Sequence, residues 1–131
     1  MRIFLVRSLE RFVRRENISH GRLLEAIARA EKGSIDADLG GGLIKQRIAR
    51  PGAGRSGGYR TIIAFRSGNR AVFLYGFAKS ERDNIGSDEL AELRRIGANW
   101  LNAAKETLAS ALHEGALKEV TNAQEENESA H

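Results

Sequence analysis

YRTIIAFRSGNRAVFLYGFA, at residues 59–78, is the stretch that decides the fold. Apolar residues recur along both halves of it, and the Gly68-Asn69 pair between them is typical of a two-residue hairpin turn. The sequence therefore predicts two antiparallel strands, 59–66 and 70–78, which form the structural centre of the domain.

The register of this hairpin divides its side chains between two faces. If Ser67 pairs with Arg70, one face is wholly apolar and the other mixes positive and aromatic side chains. We expect the apolar face to meet helices. It comprises Ile63, Phe65, Val72 and Leu74. The mixed face comprises Arg60, Ile62, Ala64, Arg66, Phe73, Tyr75 and Phe77.

Helical periodicity is found on both sides of the hairpin. Apolar residues that recur at spacings of three and four predict amphipathic helices. The predicted elements are a short strand at 2–6, helices at about 7–16 and 19–32, a loop at 34–42, a strand at 43–49 and a long helix at about 88–112.

A chain of 131 residues suits one domain. We predict an α+β domain with an N-terminal helical hairpin packed on a small, mainly antiparallel sheet of three to four strands, followed by a long C-terminal helix. We expect this domain to span 1–120. Residues 121–131 are acidic and polar with nothing to bury, which predicts a disordered tail.

Positive charge is concentrated in the middle of the chain. Residues 43–82 carry nine Lys and Arg against one acid, whereas residues 83–131 carry a net charge of −6. A concentrated positive field attracts polyanions, chiefly nucleic acid. A solvated basic face with an acidic tail that improves solubility explains the same pattern.

The composition excludes several kinds of site. The chain contains no cysteine, and its three histidines are far apart in the sequence. We therefore expect no disulfide, no metal site and no cofactor. The early apolar run at 3–6 is too short for a signal peptide or a membrane span. These observations favour a cytoplasmic protein without a membrane partner.

Lys45, Arg47 and Arg60 are predicted to share one face of the sheet. Cleavage of RNA without a metal needs a base for the 2′-OH proton and positive charge for the pentacoordinate phosphate. Repulsion from neighbouring arginines favours the neutral amine of a lysine, so Lys45 is the candidate base. Arg47 and Arg60 are candidates to bind the scissile phosphate. A basic face that only docks an acidic partner helix is the alternative.

Other basic and aromatic residues near these three are candidates for binding the RNA backbone or stacking on its bases. They are Arg50, Arg55, Tyr59, Tyr75, Lys79 and Arg82.

Two segments resemble the signature of RelE/HigB-type toxins of bacterial type II toxin–antitoxin pairs. The first is GLIKQRIAR at 42–50 followed by RSGGYR at 55–60, and the second is AKSERDNI at 78–85. The resemblance covers about residues 1–100. It implies a small α+β toxin that enters the ribosomal decoding site and cuts mRNA without a metal, with the 2′-OH as the nucleophile.

By position, the resemblance places the basic residues of the family on Lys45, Arg47 and Arg60. Ser80 stands where well-studied members have an arginine, and Gly86 where they have a tyrosine. The resemblance implies mRNA, the ribosome and a cognate antitoxin, expected to be a small helix-turn-helix protein, as partners. The long C-terminal helix exceeds the ending of small members. It is expected to cover the aromatic face, to dock the antitoxin or to form a homodimer.

Other functions within the same superfamily stay open. One is a ParE-like toxin that is not a nuclease and acts on DNA gyrase or another target. Another is a catalytically inactive module that binds nucleic acid or the antitoxin. The departures at Ser80 and Gly86 are the reason that these alternatives are kept.

Overall fold

The structure, a computed structural model, describes residues 1–50, 54–82 and 84–122, without the side chains of residues 50 and 54–57. In chain order the elements are β1 (Arg2–Val6), α1 (Arg7–Arg15), α2 (His20–Glu31), β2 (Ala37–Gly40), β3 (Leu43–Arg50), β4 (Gly54–Arg66), β5 (Arg70–Ala78), α3 (Ser87–Leu101), α4 (Lys105–Glu114) and β6 (Leu117–Glu119). Most of the predicted acidic tail, 123–131, lies outside the described residues. No helix in the described ranges is long and apolar enough to cross a membrane.

A mixed sheet lies between two layers of helices. Across the described residues it has six strands in the order β2-β3-β4-β5-β1-β6. β1 runs parallel to β5, and the other neighbouring pairs are antiparallel. Helices α1 and α2 bury one face of the sheet, and α3 and α4 bury the other. We call these the α1/α2 face and the α3/α4 face.

The predicted architecture is wrong in three respects. The predicted strand at 2–6 is confirmed as β1, so the helical hairpin follows a strand and is not N-terminal. The sheet has six strands rather than three or four, because the predicted loop at 34–42 contains β2 and residues after α4 form β6 against β1. The single long C-terminal helix is two helices, since the chain leaves the helical conformation at 102–104.

Two arginines beside the hairpin turn hold the end of α3. Arg66 donates to the Leu101 carbonyl oxygen at 3.0 Å and to Asn102 Oδ1 at 2.9 Å. Arg70 donates to three carbonyl oxygens at 2.7, 3.2 and 2.9 Å, those of Trp100, Leu101 and Ala103. Carbonyl groups at a helix C-terminus lack intrahelical donors and attract positive charge. The break therefore depends on tertiary contacts that the helical spacing does not reveal.

The predicted hairpin register is right at the open end and wrong at the turn. Arg60 pairs with Phe77 as predicted, whereas Arg66, and not Ser67, pairs with Arg70. The turn consequently has three residues, 67–69.

A β-bulge at Leu74 accounts for this shift. The register slips by one residue between Ile62 and Ile63, which leaves Leu74 without a partner on β4. Phe73 therefore lies in the α1/α2 core and Leu74 in the α3/α4 core. The sequence prediction places Phe73 on the mixed face and Val72 and Leu74 on the apolar face, and it is wrong for all three.

Helix α3 approaches the sheet closely at Gly97. A Cβ atom there would lie 3.0 Å from Ala64 Cβ and 3.2 Å from side-chain atoms of Leu43 and Leu74. The apolar side of α3, which includes the partly buried Trp100, packs on the α3/α4 core of its own chain. The helix therefore covers part of this face, as one of the sequence alternatives predicts.

Gly97→Val is expected to lower the free energy of unfolding by about 1–3 kcal/mol, because the added side chain overpacks the contact between α3 and the sheet. Urea denaturation measures this loss. Ala98→Val, at an exposed position of the same helix, is the control and should cost only about 0.5 kcal/mol through helix propensity. Equal losses for the two variants would contradict the close approach.

Glu31, at the end of α2, holds the β4–β5 turn. Its carboxylate accepts a hydrogen bond from the Ser67 hydroxyl at 2.8 Å and another from the Gly68 N–H at 3.0 Å. These hydrogen bonds, that from Gly68 above all, lower the pKa of Glu31 below its ordinary value of 4.5. Ionised Glu31 therefore stabilises the folded protein fully above pH 4.5, and this stabilisation is lost as pH falls through the lowered pKa.

At pH 7, the urea midpoint of unfolding is expected to be higher for wild-type protein than for Glu31→Gln. The difference between the two midpoints should shrink as pH falls below 4.5. Glu106→Gln removes one charge from an exposed position in α4 and serves as the control. A difference between wild type and Glu31→Gln that is constant with pH would contradict this role of Glu31.

Candidate nucleic-acid interface

The pairing of β3 with β4 places three cations on the α3/α4 face. Lys45 pairs with Ile62, and Arg47 pairs with Arg60. Side chains alternate between the faces of a strand, and the residues that flank and separate Lys45 and Arg47 are buried on the other side. These are Ile44, Gln46 and Ile48. We call Lys45, Arg47 and Arg60 the cationic cluster.

The cationic cluster is open to solvent at the side of α3. Arg47 is exposed, and Lys45 and Arg60 are half-buried. At Gly97, helix α3 lies against Leu43 and Ala64, which are further along the two strands. The cluster is therefore not sealed beneath the helix, and a ligand can reach it.

The side chains of the cluster form no ion pair within the part of the chain that the structure describes. Neither Lys45 nor the Arg47 side chain forms a hydrogen bond or an ion pair there, and Arg60 Nη1 is buried without an acceptor. An unsatisfied buried donor costs about 1–3 kcal/mol, and more when it is charged. Like charges directly opposite each other on paired strands add to this cost. A bound anion would relieve both penalties.

Gln46 fixes the backbone beneath the cluster. Its buried side-chain oxygen accepts from the Asp36 N–H at 2.7 Å, and its amide donates to the carbonyl oxygens of Ala26 at 2.9 Å and Ser34 at 3.2 Å. The Thr61 hydroxyl donates to the Gln46 carbonyl oxygen at 2.9 Å. These bonds connect β3 to α2, to the segment before β2 and to β4.

Asp36 and Arg29 hold the backbone of Arg47. The Asp36 carboxylate accepts from the Arg47 N–H at 2.6 Å, and Arg29 donates to the Arg47 carbonyl oxygen. The Arg47 backbone is thus fixed while its side chain stays unpaired. Sequence reasoning missed Gln46, Asp36 and Arg29. Of these, Gln46 could have been found from the sequence, because it is a polar residue at an inward-facing position between the apolar residues Ile44 and Ile48.

Tyr75 and Phe77 lie on the same face as the cluster, beside Arg82. Their ring centroids are 5.9 Å apart with planes inclined at 41°. The guanidinium carbon of Arg82 lies 6.0 Å from the Tyr75 ring centroid and 5.7 Å from that of Phe77. Phe77 is buried and Tyr75 half-buried, so the aromatic side chains of the predicted mixed face are largely covered.

Arg82 has an acid partner, unlike the cluster. It donates to the two Glu89 carboxylate oxygens at 2.8 and 3.2 Å and to the Tyr75 hydroxyl at 3.2 Å. The hydrogen bonds to Glu89 raise the pKa of Arg82 and lower the pKa of Glu89. Lys79, directly after β5, is exposed and forms no ion pair with any residue in the described ranges.

Tyr59 does not lie with the cluster. Its ring is buried in the α1/α2 core, edge-on to Phe12 at 5.5 Å, and its hydroxyl donates to Glu16 at 3.0 Å. We therefore leave Tyr59 out of the proposed interface. The side chains of Arg50 and Arg55, also predicted to bind RNA, lie outside the described residues.

The described residues do not form a metal site. Over the residues that the structure covers, no group of three or more His, Asp or Glu side chains could hold a metal ion. The arrangement offers one amine and two guanidinium groups, which suit a phosphodiester.

The model of the RelE family, described as the RelE toxin of the RelE/RelB toxin–antitoxin system, matches residues 1–120. The chain belongs to the RelE toxin family. It is the toxin of a toxin–antitoxin pair, with an antitoxin as its partner. A search of curated proteins found no significant match. The family match extends past the resemblance at about 1–100 and takes in α4 and β6.

The two departures from the resemblance lie after β5 in this RelE-family toxin. Ser80 is exposed in a turn. Gly86 precedes α3, and its N–H donates to Glu89 Oε1 at 3.2 Å. Gly86 therefore takes part in starting α3 and offers no side chain to a substrate.

Arg60→Met is expected to raise the free energy of unfolding by about 1 kcal/mol, because it removes a buried donor without an acceptor. Arg66→Met, on the same strand, is the control and should lower it by about 1 kcal/mol, because its hydrogen bonds to the Leu101 carbonyl oxygen and to Asn102 Oδ1 are lost. Urea denaturation measures both values. If Arg60→Met destabilises the protein as much as Arg66→Met does, the cluster is not a site of unfavourable charge.

Proposed function

We propose that this RelE-family toxin is a ribosome-dependent mRNA endonuclease that needs no metal and uses the RNA 2′-OH as its nucleophile. The observation that carries the proposal is the cationic cluster, which is unpaired among the described residues and in which Arg60 Nη1 is buried without an acceptor there. Membership of a toxin family supports a harmful activity, and the charge and geometry of the cluster favour an RNA phosphate as its target.

In the proposed reaction, Arg47 and Arg60 bind the non-bridging oxygens of the scissile phosphate and stabilise the added negative charge of the pentacoordinate state. Lys45 is the proposed general base, whose Nζ accepts the 2′-OH proton as the 2′-oxygen attacks phosphorus. The bond from phosphorus to the 5′-oxygen then breaks, and Lys79 supplies the proton to that oxygen. The products are a 2′,3′-cyclic phosphate and a 5′-hydroxyl end.

Binding of the antitoxin is proposed to silence the toxin by covering the cluster with acidic side chains. An acidic segment would supply the counter-charges that Arg47 and Arg60 lack within the described residues. We expect the antitoxin to be a small helix-turn-helix protein. A ribosomal target places the toxin in the cytoplasm.

Lys45→Ala and Arg60→Ala are each expected to lower the rate of mRNA cleavage on programmed ribosomes by about 100-fold or more, through loss of the base and of charge stabilisation. Primer extension on the mRNA measures the cleavage. Lys32→Ala, at an exposed position after α2, is the matched control and should cleave at the wild-type rate.

Two outcomes would overturn the proposal. One is wild-type cleavage by both cluster variants. The other is growth arrest on induced expression with DNA damage and intact transcripts, which would instead support a ParE-like toxin. As a control for unfolding, the circular dichroism spectrum of each purified variant is compared with that of the wild-type protein.

A further inference from the structure

We propose that Arg82, with the rings of Tyr75 and Phe77 behind it, is a second phosphate subsite, and that the Glu89 carboxylate occupies this subsite when RNA is absent. The inference rests on the proposed function, because its ligand is the RNA strand that the cationic cluster binds. Glu89 would then act as an internal anion that competes with RNA.

The Arg82 guanidinium is already arranged to bind an anion through two nitrogens. Nη2 and Nη1 contact the two carboxylate oxygens of Glu89 at 2.8 and 3.2 Å, and Nε donates to the Asn84 carbonyl oxygen at 2.9 Å. A phosphate presents a pair of oxygens that matches the same fork of donors. Binding of phosphate in place of Glu89 therefore needs no new orientation of Arg82.

The subsite lies beside the cationic cluster. Phe77, over which the Arg82 guanidinium lies, pairs directly with Arg60 across the two strands. A strand of RNA with one phosphate at Arg60 would bring a neighbouring phosphate towards Arg82. Tyr75, which hydrogen-bonds to Arg82, is half-buried and adds a stacking surface at this position.

The contact between Arg82 and Glu89 is open to exchange with a ligand. The two side chains keep 33% and 49% of their surface exposed. Ion pairs at such exposure contribute little and are screened by salt. A polyanion that also engages Arg47 and Arg60 can therefore displace the single carboxylate.

Glu89 has a second contact that the test must preserve. It accepts a hydrogen bond from the Gly86 N–H at 3.2 Å, in the first turn of α3. Glutamine can accept the same bond, since Gln and Glu serve alike at this position of a helix. Glu89→Gln thus removes the charge and retains the start of α3.

The experiment measures binding of a short 2′-O-methyl RNA oligonucleotide, which cannot be cleaved, by fluorescence anisotropy. Glu89→Gln is expected to bind about threefold to tenfold more tightly than wild type. For this variant, the slope of the logarithm of the binding constant against the logarithm of the salt concentration should be steeper by about 0.7. This is the value for one more phosphate contact with single-stranded nucleic acid. Adding Arg82→Ala to Glu89→Gln should abolish the gain.

Glu92→Gln is the matched control, because it also removes one negative charge from α3 and breaks an exposed pair, with Arg95. It should bind RNA as wild type does. Equal affinity of Glu89→Gln and Glu92→Gln, with wild type binding RNA and Arg60→Ala failing to, would overturn the subsite and leave the proposed function standing. If no variant binds the oligonucleotide the subsite is also wrong, and ribosomal cleavage tests the proposed function separately.

Discussion

Arg47 and Arg60 are paired across β3 and β4, and the candidate site depends on this placement of two like charges on neighbouring strands. Without a ligand, such a placement is unfavourable. It persists because β3 is held from the opposite face, where Gln46 is buried and hydrogen-bonded to α2 and to the segment before β2. The rest of the fold thus stabilises neighbouring positive charges that an anionic ligand would neutralise, as expected of a binding site.

The N-terminal helices were predictable because capping residues and helical spacing are encoded in neighbouring residues of the sequence. Ser19 caps α2 and accepts from the Arg22 N–H, and α1 and α2 begin and end within about two residues of the predicted helices. The break at 102–104 could not be predicted, because it depends on Arg66 and Arg70, which are distant in sequence. The bulge at Leu74 is equally hidden, since either register of the hairpin buries apolar side chains.

The placement of the cationic cluster was predictable from strand alternation, because the predicted register is right at the open end of the hairpin. Tyr59 is adjacent to Arg60 in β4 and so faces the other side of the sheet, where its ring is buried. The pairing of Arg82 with Glu89 could not be predicted, because it depends on how the segment after β5 folds back against the first turn of α3. Which cations are free and which are neutralised is decided by tertiary structure.

The most direct test of the central claim is NMR spectroscopy of the arginine guanidinium groups of the ¹⁵N-labelled toxin, titrated with 2′-O-methyl RNA. We predict that the Arg60 Nη signals shift on addition of RNA and become protected from exchange with water. The signals of Arg95, which pairs with Glu92, should stay unchanged. RNA binding that leaves the Arg60 signals unaltered would contradict the claim that Arg60 binds a phosphate of the RNA.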